Sequence, residues 1–312
     1  MGCRLGGALG SSTTLKPTQN TEVAPTWPGC SHCTVPGRRL FTGLLAGAML
    51  LPMAAQAQDL PECRRSRAAG LISAQQVETA AQQQYVQMMR EAQGQNALVP
   101  AADTQMQRLR YIAARIVPFT PACNSRAAQW RWEVNLLNSK QINAFCMPGG
   151  KIAFYTGILQ QLQLNDDEVA MIMGHEVAHA LLEHARERMA KSGGTEIVLR
   201  GAAAIFGLGN LGDLAAQGAT QLLSLKFGRQ DESEADSLGM LLAARAGYNP
   251  EAGVTLWQKM GKATGGKAPP QWLSTHPAGD TRIRDIQSKL PAVQPLFARA
   301  GKPERRFNAP AA

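Results

Sequence analysis

The chain has 312 residues, 45% of them hydrophobic and 18% charged, and a formal net charge of +9. This length allows two domains. No stretch alternates basic with aromatic residues, which excludes the usual pattern of a nucleic-acid-binding surface, whereas the modest positive balance suits the anionic surface of an envelope membrane.

Residues 1–57 are predicted to be a disordered leader followed by a secretory signal peptide. Residues 1–36 are rich in Gly, Ser, Thr and Pro. Two arginines then precede an apolar run of roughly 14 residues, too short for a membrane anchor, and Ala55-Gln56-Ala57 forms a small-residue cleavage site. The leader holds four basic residues and one acidic residue, so the mature chain carries 9 − 3 = +6. We expect a periplasmic protein, with peripheral membrane contact left open.

The rest is predicted to be an α+β fold, predominantly helical, with a single domain over 58–293. Ser73 and Gln76 form a capping box that opens a helix to about residue 93. Alternating apolar residues predict a strand over 129–136, and a hairpin follows. Further helices are predicted over 102–115, 166–190, 219–246, 250–262 and 279–290, the hairpin strands over 141–147 and 152–156, and a disordered basic tail over 294–312.

The predicted helix that begins near residue 166 carries the motif H-E-x-x-H, from His175 to His179. Positions i and i+4 lie on one face of a helix, so the two imidazoles can point at one ion, and Glu176 can reach a water bound to it. The flanking residues are apolar nearly all round, so the helix is predicted to be buried. Buried histidines and a buried glutamate need partners, and a metal ion satisfies all three.

The third ligand is predicted to come from a later acidic segment. Leu182 and Ala185 stand where a three-histidine site would need Gly and His, which excludes that class. Glu232 and Asp236 are four residues apart and share a helix face. Glu232 can bind the metal, and Asp236 can hold a ligating histidine by its other ring nitrogen. A solvated helix start is the plainer interpretation of this run, but the apolar residues after it favour a core helix.

Two neighbouring polar residues are predicted to stay outside the site. His184 lies nine residues after His175, about 180° round a continuous helix, so we expect it to face elsewhere as a structural or solvated residue. Glu234 is predicted to point away from both Glu232 and Asp236.

These motifs together resemble the HtpX/BepA/CAAX-prenyl-protease family of gluzincins, metallopeptidase family forty-eight. The H-E-x-x-H motif is followed by E-x-E-A-D-x-x-G, from Glu232 to Gly239. The N-A-F-x-x-P-G-G-x-I segment from Asn143 to Ile152 and the H-P-x-x-x-x-R-I segment from His276 to Ile283 are similar to further family motifs. The resemblance covers roughly 130–287 and is nearest to soluble periplasmic BepA-like members without a repeat domain.

The resemblance implies a zincin-type core and a role for each matched residue. It implies one Zn²⁺ per chain, bound by His175, His179 and Glu232, with Glu176 as general base and Asp236 as the support of a ligating histidine. His276 is implied to lie near the metal, either as an inhibitory ligand or as a group that stabilises the transition state, and Arg282 to tie down its loop.

The implied function is a zinc-dependent endopeptidase acting on unfolded or misassembled envelope proteins. The strand that contains Asn143, Ala144 and Phe145 is expected to edge the cleft and pair with an extended substrate, and an amide near Ala144 is a candidate oxyanion donor. An envelope chaperone-like binding module with a latent zinc site is the alternative.

Residues 195–219 are predicted to form an amphipathic lid or an interfacial membrane segment, with an ordinary pair of core helices given equal weight.

The mature chain keeps three cysteines, Cys63, Cys123 and Cys146. An oxidising compartment permits one disulfide, and Cys63 with Cys123 is the predicted pair because Cys146 lies in the strand beside the site.

Overall fold

The computed structural model describes residues 63–191, 226–264, 271–276 and 281–310. The predicted leader and signal peptide and the segment 195–219 lie outside these residues. The predicted division into domains is not tested by the described part of the chain.

A three-stranded sheet has β3, Lys151–Tyr155, at its centre. It pairs in parallel with β1, Glu133–Leu137, and antiparallel with β2, Ala144–Met147. The turn between β2 and β3 contains Gly150 at φ 78°, a left-handed conformation that glycine adopts without a side-chain clash. The predicted hairpin is confirmed, and β2 lies at an edge of the sheet.

The sheet separates two helices. Phe145 and Met147 of β2 pack in a cluster with α1, Ala74–Gly94, whereas Ala144 and Cys146 pack in the main core that contains α4, Asp166–Leu181. This alternation follows from the two-residue period of a strand. Consequently β2 touches the helix that carries H-E-x-x-H.

The remaining helices confirm most of the predicted ones, with shifted ends. They are α2 Thr104–Ile116, α3 Thr156–Gln161, α5 His184–Lys191, α6 Arg229–Arg245, α7 Ala252–Thr264, α8 Gln271–Thr275 and α9 Arg282–Arg299, with short 3₁₀ turns at Arg67–Leu71, Val117–Ala122 and Ser125–Gln129.

The helix predicted over 166–190 is broken, so that prediction was wrong in its length. The Asn165 side chain accepts from the Glu168 N–H and the Glu168 side chain accepts from the Asn165 N–H, a capping box that starts α4 as expected. The helix ends at Leu181, and Glu183 takes φ 60° before α5 begins. The chain therefore changes direction between Leu181 and His184.

The tail prediction was also wrong for the residues that the structure describes. Helix α9 continues to Arg299 because Val293 is buried and Leu296 and Phe297 pack against the main core. Beyond it, the Phe307 N–H donates to the Asp166 Oδ2 atom at 2.9 Å, which ties the tail to the start of α4. Side-chain acceptors on the core thus pair with backbone N–H groups of this polar segment.

The predicted disulfide is confirmed. Cys63 and Cys123 are bonded across 60 residues, which joins the segment before α1 to the chain after α2. Cys146 is free and buried. Among the described residues, no helix is both long and apolar enough to cross a membrane.

Candidate metal and catalytic site

Helix α4 presents its two motif histidines on one face. His175 and His179 are buried, and their Nε2 atoms lie 3.0 Å apart. Burial lowers the pKa of His179 well below its ordinary value, although Glu232 opposes the shift. A neutral imidazole offers a free lone pair, the form in which histidine binds a metal.

Helix α6 brings Glu232 to the same point. Its Oε2 atom lies 3.6 Å from the His175 Nε2 atom, and its Oε1 atom lies 3.5 Å from the His179 Nε2 atom. Burial raises the pKa of Glu232, but hydrogen bonds with His179 and His276 outweigh burial and hold that pKa below its ordinary value. The carboxyl group is therefore ionised.

Two glycines allow α4 and α6 to approach this closely. A Cβ atom on Gly174 would lie 2.6 Å from the Gly239 carbonyl oxygen, and one on Gly239 would lie 2.7 Å from the His175 backbone nitrogen. Real Cβ atoms do not approach other atoms to such distances. The glycine of the E-x-E-A-D-x-x-G motif therefore sets the spacing between the helices that hold the site.

His276 lies immediately after α8 and joins the cluster. Its Nδ1 atom lies 3.0 Å from the Glu232 Oε1 atom and 3.2 Å from the His175 Nε2 atom. One atom from each of His175, His179, Glu232 and His276 lies within 4.8 Å of all the others.

This donor set fits zinc. Tetrahedral zinc with bonds of about 2.0–2.1 Å requires donor separations of about 3.3 Å. Five distances between donor atoms of the four residues run from 3.0 Å to 3.6 Å. Two imidazoles and a carboxylate, with a third imidazole beside them, are also the chemical donors that zinc prefers.

Asp236 holds the far side of His175, as its position on α6 predicted. The His175 Nδ1 atom lies 3.0 Å from the Asp236 Oδ1 atom. Arg282 donates from Nε to Asp236 at 2.7 Å and from Nη1 to Glu232 at 2.5 Å. Burial raises the pKa of Asp236, but the Arg282 guanidinium and His175 outweigh it and hold that pKa below its ordinary value. Arg282 thus fixes the two carboxylates on α6 rather than only its own loop.

Glu176 has a partner that sequence reasoning missed. The Trp272 Nε1–H donates to its Oε1 atom at 2.6 Å, and the His276 Nε2 atom lies 3.5 Å from the same oxygen. The Trp272 ring also stacks on His276, with centroids 5.0 Å apart. One short segment, 271–276, therefore touches both the metal donors and the candidate general base. The tryptophan four residues before the H-P pair was the available signal.

The structure corrects the expectation for His184. Because α4 ends at Leu181, the ring does not lie on the far face of a continuous helix. It is buried, and its Nδ1 atom lies 2.9 Å from the His179 Nδ1 atom. Glu234 points away from the metal donors, as expected, and its Oε2 atom lies 3.3 Å from the His184 Nε2 atom.

The cleft in front of these groups is bordered by β2 and the residue before it. Asn143, Ala144 and Phe145 line it together with Glu176 and His179. The Phe145 side chain packs in the α1 cluster, so that residue borders the cleft through its backbone. The Ala144 N–H donates to the Asn143 side-chain oxygen at 3.0 Å. It is therefore already engaged and is a weaker oxyanion donor than we expected.

Cys146 also borders the cleft, on the side of β2 that faces α4. Burial raises the pKa of its thiol well above the ordinary value. A neutral, buried thiol is a poor nucleophile, so Cys146 is not suited to nucleophilic catalysis.

Comparison with known proteins connects this geometry to a family. Residues 103–290 match the profile of Peptidase family M48. The mitochondrial metalloendopeptidase OMA1 of Arabidopsis thaliana is 40% identical over 153 residues, covering 49% of this chain and 30% of that protein.

Human and bacterial relatives match a similar share. The mitochondrial metalloendopeptidase OMA1 of Homo sapiens is 30% identical over 200 residues, which cover 58% of this chain and 37% of that protein. The beta-barrel assembly-enhancing protease of Escherichia coli is 28% identical over 179 residues, 54% of this chain and 36% of that protein. The aligned part thus spans only about a third of each of these relatives.

Proposed function

The chain belongs to peptidase family M48, and from this we propose that it is a zinc-dependent endopeptidase that cleaves unfolded or misassembled envelope proteins. The observation that carries the proposal is the buried set of His175, His179 and Glu232 beside Glu176, on two helices in close contact. When bound, zinc supplies a water of lowered pKa and polarises the scissile carbonyl group.

Glu176 is the group that moves the proton. Glu176 lines the cleft together with His179, where its carboxylate would face the water that zinc supplies. There it accepts the proton of the attacking water and returns it to the leaving amine, a general acid–base role that contributes about 10²- to 10⁴-fold in rate.

The position of β2 at an edge of the sheet supports an extended peptide as the substrate. This strand pairs only with β3 among the described residues, and it borders the cleft beside Glu176. An unfolded segment can add to such an edge through main-chain hydrogen bonds, which are largely independent of sequence. Folded proteins keep their strands paired, so unfolded chains are the favoured substrates.

The arrangement of His276 supports an inhibited resting form. Its Nδ1 atom lies 3.0 Å from the Glu232 Oε1 atom and 3.2 Å from the His175 Nε2 atom, so it would be able to take the place that a catalytic zinc site keeps for water or substrate. Of the two roles implied by the resemblance, this contact favours the inhibitory one. The segment 271–276 must move before a substrate reaches Glu176.

The Cys63–Cys123 disulfide supports an oxidising compartment. The Escherichia coli relative is named a β-barrel assembly-enhancing protease, which supports quality control in the envelope, whereas other relatives are named mitochondrial. We therefore propose export to the periplasm by the N-terminal signal.

Cleavage of casein and of an unfolded outer-membrane protein tests the proposal. We expect cleavage to stop when a chelator removes the metal and to return when zinc is added. The His276→Ala variant should cleave faster than the wild type. Cleavage that the chelator does not reduce contradicts the zinc mechanism. Binding of the unfolded substrate without cleavage, both with and without the chelator, supports the chaperone-like module instead.

A further inference from the structure

Each metal-binding histidine of α4 is held on its far side, but the two are held differently. His175 contacts the Asp236 carboxylate directly, whereas His179 contacts a second histidine, His184, which contacts Glu234. We propose that His184 and Glu234 are positioning residues that fix the tautomer and ring orientation of His179. This inference rests on the proposed metal site.

The broken helix is what makes the contact possible. On a continuous helix, His184 would lie about 140° round the axis from His179, since five residues turn through about 500°. Glu183 has a left-handed backbone conformation, with φ 60°, so the chain does not continue as a helix there. Its side chain accepts from the Arg186 Nη1 atom at 2.6 Å, across the start of α5. The turn therefore brings the His184 ring back to His179.

Hydrogen-bond direction is determined along the whole chain of contacts. A His179 ring that binds a metal through Nε2 carries its proton on Nδ1 and donates it. The His184 Nδ1 atom, 2.9 Å away, must then accept. A His184 proton on Nε2 then points at the Glu234 Oε2 atom, 3.3 Å away. With a metal bound at the His179 Nε2 atom, this arrangement gives each contact one donor and one acceptor.

The ring of His179 is also held on its face. Phe227 stacks on it, with centroids 4.1 Å apart and planes 28° apart. The Phe227 contact restricts tilting, and the His184 contact restricts rotation within the plane. Together they direct the Nε2 atom at the position shared by the His175 and Glu232 donor atoms.

Glu234 is the last residue in the series of contacts from His179 through His184. Its side chain is 36% exposed, whereas that of Asp236 is only 9% exposed. The Gln230 amide donates to the Glu234 Oε1 atom at 2.8 Å and restricts the carboxylate. Because water partly competes for Glu234, its loss should matter less than the loss of His184.

Zinc affinity of the purified full-length chain, measured by competition with a chelating dye, tests this inference. Replacing His184 by Leu keeps the size but removes the acceptor, and we expect zinc affinity to fall by about 10- to 100-fold, as for other supports of ligating histidines. Replacing it by Asn leaves an amide oxygen near the former Nδ1 position and should restore most of the affinity. Glu234→Gln should weaken binding less than His184→Leu.

Asp231→Asn is the matched control, because it removes a carboxylate from the same turn of α6 without touching either histidine. The melting temperature of each metal-free variant separates a loss of fold from a loss of affinity. If His184→Leu does not fold, the inference is tested by comparing the zinc affinity of Glu234→Gln with that of Asp231→Asn.

The inference is overturned if His184→Leu binds zinc as tightly as wild type, if the Asn variant is as weak as the Leu variant, or if Glu234→Gln equals its control. Absence of zinc binding by the wild type overturns the proposed function itself, and so the two failures are distinguishable.

Discussion

The chemically important side chains of the site each have a partner from another segment of the chain. His175 is held by Asp236 from α6, Glu176 by Trp272 from α8, and His179 by His184 from α5. The contacts to the two histidines fix the direction of each ring, as residues that hold a ligating histidine by its other nitrogen do in metal sites.

The Trp272–Glu176 hydrogen bond should stabilise the closed form. A hydrogen bond to a charged group contributes about 1.5–3 kcal/mol. Trp272→Phe removes the donor but keeps an aromatic ring to stack on His276. We therefore expect basal cleavage of casein to rise roughly tenfold or more, measured as the initial rate at saturating zinc.

Trp130→Phe provides the control for this substitution. Trp130 is similarly buried, and its Nε1–H also donates to a carboxylate, that of Glu78, away from the site. A matching rise in that variant, or a loss of cleavage in Trp272→Phe as deep as in a Glu176 variant, contradicts the closing role of Trp272.

At this scale the sequence indicates the candidate metal ligands better than the residues that hold the site's side chains in place. The four-residue spacings of His175 with His179 and of Glu232 with Asp236 each match the helix period, so those residues could be selected directly. His184 was placed wrongly because a helical wheel assumes an unbroken helix. The position of Trp272 before the H-P pair did not reveal its partner, because its contact with Glu176 joins residues 96 positions apart.

The contact between α4 and α6 controls the distance from His175 to its partners. Gly239→Ala would insert a methyl group 2.7 Å from the His175 backbone nitrogen. Overpacking of this kind costs about 1–3 kcal/mol. We expect a lower free energy of unfolding in urea and weaker zinc binding, because Glu232 and Asp236 move away from His175.

Gly261→Ala is the control on another helix. Apart from the adjacent residues and the nearby backbone of its own helix, α7, no described atom lies within 4 Å of the Cβ position at Gly261. Alanine favours a helix over glycine by about 1 kcal/mol, so this variant should be slightly more stable and should bind zinc normally. Equal behaviour of the two variants would show that the helix contact is not limiting.

Elements were predictable where local pattern decides them. The capping box at Asn165, the alternation in β1 and the glycine turn after Met147 each act over a few residues. The break at Glu183 was not, because a glutamate in the left-handed region has no sequence signal and is retained by tertiary contacts such as that with Arg186.

For the whole molecule, long-range connections hold the ends of the described chain to the core. The tail beyond α9 lies along α2 and α4, where Glu304 and Arg305 N–H groups donate to the Tyr111 hydroxyl. The tail has few apolar residues, and its composition therefore predicted disorder. Composition does not show the hydrogen-bond acceptors that the core supplies to the tail. The tail is thus less available for membrane contact than its charge suggested.

The disulfide should contribute to stability through the 60-residue separation of its cysteines. Closing a loop of that size restricts the unfolded chain, and such bonds contribute about 2–4 kcal/mol. We expect the Cys63→Ser, Cys123→Ser double variant to lose about that much unfolding free energy in urea. A reductant should lower the stability of wild type and leave the double variant unchanged; an equal effect on both contradicts the assignment.

Glu176 gives the most direct test of the whole account. In the His276→Ala background, Glu176→Gln should keep one zinc ion per chain, measured by metal analysis, while casein cleavage falls by about 10²- to 10⁴-fold. Cleavage by that variant at nearly the parent rate, with zinc still bound, would contradict the proposal that this site hydrolyses peptide bonds through Glu176.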